Sequence, residues 1–350
     1  MIYIITVYDS TNYGSFFQAY SMMNELLKYD DVRFVDVHHQ NTWKSALVSA
    51  GKCFIHGRLG SGGSEIKNCH VFAREKRVFN TVDLAQINSS KDDFFIFGSD
   101  EIWNITREKI RRTKEFFGFN FPENNRIAAA VSINQTSLEQ LKANAYVTDE
   151  LSKFKAISCR DYHSVDTIGR LLSRKIEFVG DPTLMAGRKL FDALVLTPEL
   201  AINSNYLVIY TYGKMLSKEN IASIVSFAEI HSLKIVSVGK WNDFSDFCLN
   251  PTPKEFLGLF KNARYIFTDT FHGLMFSLIF ERQFVVFPCN NTKVEDSLKY
   301  FQLENRLFQS KEELNAICLQ EIQYGKVTAL VNEAGESLHR FLKSNLTGEG

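Results

Sequence analysis

No two of the six cysteines (Cys53, Cys69, Cys159, Cys248, Cys289 and Cys318) form a Cys-x-x-Cys pair, which argues against a zinc site and against a disulfide framework. Scattered thiols suit a reducing cytoplasm. An excess of either charge is also missing, because 40 basic residues cancel 40 acidic ones. Nothing in the overall field steers the chain to nucleic acid or an anionic membrane, so any anion must be caught locally. No apolar run approaches the ~18 residues of a spanning helix. Met1-Ile2-Tyr3-Ile4-Ile5 has no basic segment and soon meets Asp9 and Asn12, so it reads as a buried strand and not a signal peptide. The first strand is not followed by Gly-x-Gly-x-x-Gly, which disfavours a dinucleotide.

What is present is an ordinary globular composition, 45% hydrophobic and 23% charged, with 30 Phe. A chain of 350 residues exceeds the size of one growing core, so two domains are expected, with a ligand in the cleft between them. Short Ile, Val and Phe runs alternate with helical patterns, the mark of βαβ units and parallel sheets. A first series of strands is expected at 2–7, 32–37, 93–97, 126–132, 156–159 and 176–179, and a second at 206–211, 234–238, 265–268 and 284–287. Pro182 and Pro198 discourage continuous helix between Asp181 and Asn205, and the junction is placed there. The expected organisation is α/β: a Rossmann-like domain over 1–190, a second over 200–325, and a closing helix and tail over 326–350. Two doubly wound halves facing across a cleft make a GT-B-like architecture. Ser45 to Asn80, with Gly57, Gly60, Gly62 and Gly63 and no clean strand, reads as a mobile insertion, either an acceptor-side lid or a variable surface loop.

Four strand ends gather polar residues. After the first strand, Asn12-Tyr13-Gly14-Ser15 precedes a helix with Phe16, Ala19, Tyr20, Met23, Leu26 and Leu27 on one face; the turn is either an anion-friendly corner or a packing device. Gly98-Ser99-Asp100-Glu101-Ile102-Trp103 offers Asp100 as a general base whose pKa Trp103 would raise, or else a helix cap at Ser99 or Asp100. Arg160, at the end of another strand, can grip a carboxylate or phosphate, or simply pair with Asp161; His163 is the less reactive neighbour. Thr268-Asp269-Thr270-Phe271-His272-Gly273 is the densest group, with His272 placed to shuttle protons and Thr268, Thr270 and helix amides placed to receive an anion.

Together these blocks resemble the polysaccharide pyruvyl transferase family: Asn12-Tyr13-Gly14 with Gln18-Ala19-Tyr20, Gly98-Ser99-Asp100 with Trp103, Ser158 with Arg160-Asp161, Asp181-Pro182-Thr183-Leu184, Thr268-Asp269 with Phe271-His272-Gly273, and Arg306. They keep the family's order over nearly the whole chain. The resemblance implies a GT-B-like fold and transfer of an enolpyruvyl unit from phosphoenolpyruvate to sugar hydroxyls, typically closing a pyruvate ketal, with neither metal nor nucleotide. It implies a donor on the C-terminal domain beside His272 and an acceptor, a glycan or its lipid-linked precursor, facing the N-terminal domain. Many members carry Arg where this chain has Thr270, and Lys293 or Arg306 would have to compensate. On this reading His272 protonates the donor methylene, Arg160 and Lys293 neutralise donor charge, and Asp100 serves the acceptor. Two other readings share the architecture: a glycosyltransferase using a nucleotide sugar, and a non-catalytic glycan-binding member.

Overall fold

The computed structural model describes residues 1–37, 47–48, 51, 59–198, 205–211, 216–289, 292–308 and 310–348. Two fully parallel sheets carry the fold. The first has seven strands, β1 (Ile2–Ile5), β2 (Val32–Asp36), β3 (Thr81–Asp83), β4 (Phe94–Phe97), β5 (Arg126–Val131), β6 (Ala156–Cys159) and β7 (Glu177–Phe178), in the order β3-β2-β1-β4-β5-β6-β7. The second has five, β8 (Tyr206–Tyr210), β9 (Lys234–Val238), β10 (Phe247–Leu249), β11 (Tyr265–Thr268) and β12 (Gln283–Val286), in the order β10-β9-β8-β11-β12. Strand order reverses between β1 and β4 in one sheet and between β8 and β11 in the other, which opens a crevice at the carboxyl ends of those strands.

The main helices among the described residues are α1 (Tyr13–Leu26), α2 (Leu59–Glu75), α3 (Glu108–Arg112), α4 (Leu138–Lys142), α5 (Ala145–Ser152), α6 (Tyr162–Leu172), α7 (Pro182–Leu194), α8 (Lys218–Ile230), α9 (Pro253–Asn262), α10 (Phe271–Ile279), α11 (Thr292–Tyr300), α12 (Lys311–Leu319) and α13 (Tyr324–Thr347). None of them is long and apolar enough to cross a membrane. The ten strands expected from the apolar runs form, within one or two residues at their ends. The three-residue strands β3 and β10 do not stand out in the sequence because they sit at sheet edges and bury little.

Phenylalanine ties the two sheets together. Phe17 of α1, Phe191 of α7 and Phe276 of α10 meet pairwise at 5.2 to 5.5 Å between ring centroids. Tyr13 stacks on Phe256 of α9 at 4.4 Å, and its hydroxyl donates to the Pro251 carbonyl at 2.7 Å. Tyr13 is fully buried and so bolts one half to the other, leaving no face for an acceptor sugar. The long α13 packs on α7 and reaches back to β5, so the closing helix returns to the first sheet, and it begins at Tyr324, close to the expected residue 326.

Three expectations change. Pro182 does not discourage a helix: it occupies the first turn of α7, where its missing N–H costs nothing, and the chain bends only at Gly187, with φ 65°. Leu27, assigned to the apolar face of α1, caps its end and is 51% exposed. Within Ser45 to Asn80, residues 45–46, 49–50 and 52–58 lie outside the described residues. From Leu59 onward the segment is helix and not loop, because polar contacts anchor α2 across the cleft. Asn68 Nδ2 donates to the Gly239 carbonyl at 2.8 Å, Asn250 Nδ2 donates to Asn68 Oδ1 at 2.8 Å, and Phe72 packs on Tyr13 at 4.9 Å.

Tyr13→Phe removes one buried hydrogen bond and should lower stability by about 1 kcal/mol, whereas Tyr13→Ala also leaves a cavity and should cost about 3–5 kcal/mol. Urea unfolding measures both; equal, negligible losses would mean that Tyr13 does not join the halves.

Candidate active site

The turns that leave β1, β4, β6 and β11 bring their polar residues to one place. His272 is the second residue of α10. Its Nε2 lies 3.8 Å from Asp181 Oδ2, while its Nδ1 faces Gly14, where an added Cβ would fall 2.1 Å from that nitrogen. Only glycine admits the imidazole so close to the start of α1. Arg160 leaves β6 with a fully buried guanidinium, pairing with Asp181 Oδ2 at 2.5 Å and more loosely with Asp100 Oδ1 at 3.3 Å. Asp100 also accepts from the Ser15 hydroxyl at 2.7 Å and from the Glu101 amide at 2.8 Å. Lys293 of α11 is buried and pairs with Glu101 Oε1 at 2.5 Å, a contact between the two halves. Phe271 receives both cations on its ring, Arg160 at 4.9 Å and Lys293 at 5.2 Å from the centroid.

Charge in this cluster is already matched: Arg160, Lys293 and Arg107 face Asp100, Glu101 and Asp181. Burial favours the neutral form of the His272 ring most strongly. Arg160 and Lys293 push the same way and Asp181 and Asp100 push back, so burial decides and the pKa is pulled down to about 4. At neutral pH it is therefore an uncharged imidazole. Burial alone would raise the Glu101 carboxyl, but Lys293 and Arg107 hold it well below the usual carboxylate range. Asp181 behaves alike: burial raises it, and Arg160, His272 and Thr183 more than compensate.

Of the residues expected at the site, His272, Asp100, Arg160, Lys293 and Gly14 come together. Others take structural posts. Asn12 caps α1, its Oδ1 accepting from the amides of Gly14 (2.8 Å) and Ser15 (3.2 Å), so the side chain itself fills that corner. Thr270 caps α10 through the Gly273 amide at 2.9 Å, and Thr268 donates to the Tyr210 carbonyl at 2.6 Å. Ser99 is buried against Gln18 at 2.5 Å. Trp103 is sealed in the first core, donating to the Phe116 carbonyl at 2.8 Å and packing on Phe154. Arg306 holds the Ile317 and Gln320 carbonyls at the end of α12, which uses its donors for structure and not for a donor substrate. Arg160 pairs with Asp181 and Asp100, while Asp161 caps α6 through the Ser164 amide at 2.8 Å. His163 contacts the Thr136 carbonyl at 3.0 Å. Glu101, Asp181 and Ser15 were not singled out for chemistry, although Glu101 adjoins Asp100 and Asp181 opens the quoted Asp-Pro-Thr-Leu block.

Comparison with known proteins follows the same lines. A family model described as polysaccharide pyruvyl transferase matches residues 12–291. No curated protein matches by sequence. Among solved structures, UDP-GlcNAc 2-epimerase from Methanocaldococcus jannaschii superposes with a TM-score of 0.57 at 12% identity, over 99% of either chain. The enzyme of the same name from Neisseria meningitidis, bound to UDP-GlcNAc, gives 0.55 at 12% identity, again over 99% of each. An OtsA apo structure gives 0.51 at 7% identity, over 99% of this chain and 98% of the other. At these identities the likeness is one of fold, and it is the GT-B-like arrangement of two parallel-sheet domains.

A His that is neutral when folded and has a pKa of about 4, against about 6.5 for an unperturbed imidazole, binds fewer protons than the unfolded chain between those pH values. Stability must therefore fall as pH drops through that window, by about 3 kcal/mol at most, and change no further from this group below it. Urea unfolding at pH 7 and pH 4 should show a smaller loss in His272→Gln than in the wild type; identical pH dependence would mean that the imidazole titrates normally.

Proposed function

Because the chain belongs to the polysaccharide pyruvyl transferase family, we propose that it moves an enolpyruvyl group from phosphoenolpyruvate to hydroxyls of a sugar in a bacterial-type surface polysaccharide or its lipid-linked precursor, closing a pyruvate ketal. The observation that supports this reading beyond family membership is the buried cluster itself: a neutral His272 among Arg160 and Lys293, each of them paired with a carboxylate.

The donor is an anion entering a charge-matched pocket, so it must replace one of the carboxylates. Asp100 is the weaker partner of Arg160, at 3.3 Å against 2.5 Å for Asp181, and it lies nearer solvent. The donor takes its place on Arg160 and approaches Lys293. That exchange frees Asp100 as a base for the acceptor, and the added negative charge raises the affinity of His272 for a proton. His272 then delivers its proton to the methylene carbon as an acceptor oxygen bonds to the adjacent carbon and loses its own proton to Asp100. A tetrahedral ketal phosphate results. A second hydroxyl bonds to the same carbon, the carbon–oxygen bond to phosphate breaks, inorganic phosphate leaves, and the hydroxyl proton returns to the imidazole. Cationic side chains that are worth little in water are worth far more in such a dry site. No metal or organic cofactor is required, and the acceptor suits an enzyme acting in the cytoplasm or at the inner face of the membrane.

Thermal unfolding with phosphoenolpyruvate at a concentration on the order of 1 mM, beside a panel of UDP- and CMP-sugars, tests the donor. A ligand at ~100 times its dissociation constant stabilises by about 2.7 kcal/mol, so a clear upward shift with phosphoenolpyruvate alone is expected; a shift only with a nucleotide sugar would replace this reading with glycosyl transfer.

A further inference from the structure

Asp181 has two oxygens with separate work. Oδ1 accepts from the Thr183 amide at 2.9 Å and from the Thr183 hydroxyl at 2.7 Å, which starts α7. Oδ2 points the other way, into the cluster, bound by Arg160 at 2.5 Å and 3.8 Å from His272 Nε2. Capping requires only the first oxygen. On the other side of that contact, Nε2 is sealed from solvent and has no hydrogen-bond partner. A bare lone pair facing a carboxylate would be repelled, whereas an N–H there faces its natural acceptor. The other charged groups around the ring are Arg160, Asp100 and Lys293, and none of them supplies an acceptor for Nε2 in its place.

We propose that Asp181 is the positioning carboxylate of His272: its Oδ2, shared with Arg160, fixes the proton of the neutral ring on Nε2 and so leaves Nδ1, beside Gly14, as the nitrogen that exchanges a proton with substrate. The inference rests on the proton-transfer role given to His272 above. It adds that ring orientation and tautomer are set from behind by a residue that never touches substrate. When the ring becomes doubly protonated, the same oxygen holds the new positive charge. Arg160 can turn toward a bound anion while the aspartate keeps its grip on the ring. The start of α10 also disfavours a positive ring close by, and Asp181 is the counterweight.

Histidine-selective 15N labelling of the full chain, with two-bond proton–nitrogen spectra near pH 7, reads the tautomer without any donor present; His272→Gln assigns the signal. The wild type should show the Nε2–H form, and a ring protonated at Nδ1 alone would overturn the proposal before any Asp181 variant is made. In Asp181→Asn the side chain can still cap α7, but its amide group replaces Oδ2 and donates toward Nε2. The expected result is a switch to the Nδ1–H form, with kcat lowered by about 10²-fold or more, KM changed far less and a displaced pH profile. A folded Asp181→Asn protein with the wild-type tautomer and pH profile would contradict the assignment. If the tautomer switches as expected but phosphoenolpyruvate is never consumed by the wild type, the positioning role stands and the donor reading falls.

Discussion

A carboxylate and a guanidinium held 2.5 Å apart and wholly out of water anchor this site, since Arg160 and Asp181 are both fully buried. Burying either alone would cost several kcal/mol, and removing one partner from such a pair typically costs about 3–5 kcal/mol because the other is stranded. The pair must therefore form whenever the domain folds, and its location is dictated by topology: Arg160 ends β6 and Asp181 opens α7, the helix that joins the two halves. Everything else in the cluster is arranged around it. Asp100 approaches the free side of the guanidinium, Phe271 lies under it, and His272 meets the free oxygen of the aspartate.

A site in which each cation already has a carboxylate behaves differently from an open anion hole. It does not attract anions by unpaired charge, and it holds its histidine neutral. Binding an anion becomes an exchange of partners, and the proposed chemistry follows from that exchange, with Asp100 released for one proton transfer and His272 prepared for another. The contact of Lys293 with Glu101 joins the C-terminal half to the N-terminal half at the same point.

Much of this was legible in the sequence because strand–turn–helix grammar is local. Runs such as Ile2–Ile5 and Phe94–Phe97 announce buried parallel strands, and polar residues at their ends mark the crevice. Trp103, Tyr13 and Arg306 mislead for one shared reason: side-chain type states what a residue can do but not which way it faces, and all three are turned into cores or onto carbonyls. Thr268 and Thr270 differ, since they lie beside His272: the Thr270 hydroxyl starts the helix and the Thr268 hydroxyl is held by the Tyr210 carbonyl. Local pattern also cannot reveal that Arg160 would choose Asp181 over its neighbour Asp161, because that pairing crosses 21 residues and depends on two elements meeting. The helix α2 was hidden by its glycines, Gly60, Gly62 and Gly63, whose low propensity is overridden by contacts across the cleft.

The central claim is that an anionic donor converts a neutral His272 into an acid by exchanging partners in a charge-matched pocket. Calorimetric titration of phosphoenolpyruvate near pH 7, in buffers of different ionisation enthalpy, measures the protons taken up on binding. Uptake of up to about one proton per site is expected in the wild type and none in His272→Gln, in keeping with a group whose affinity for protons rises when negative charge arrives. Tight binding with no proton uptake, or the same uptake in both proteins, would contradict it.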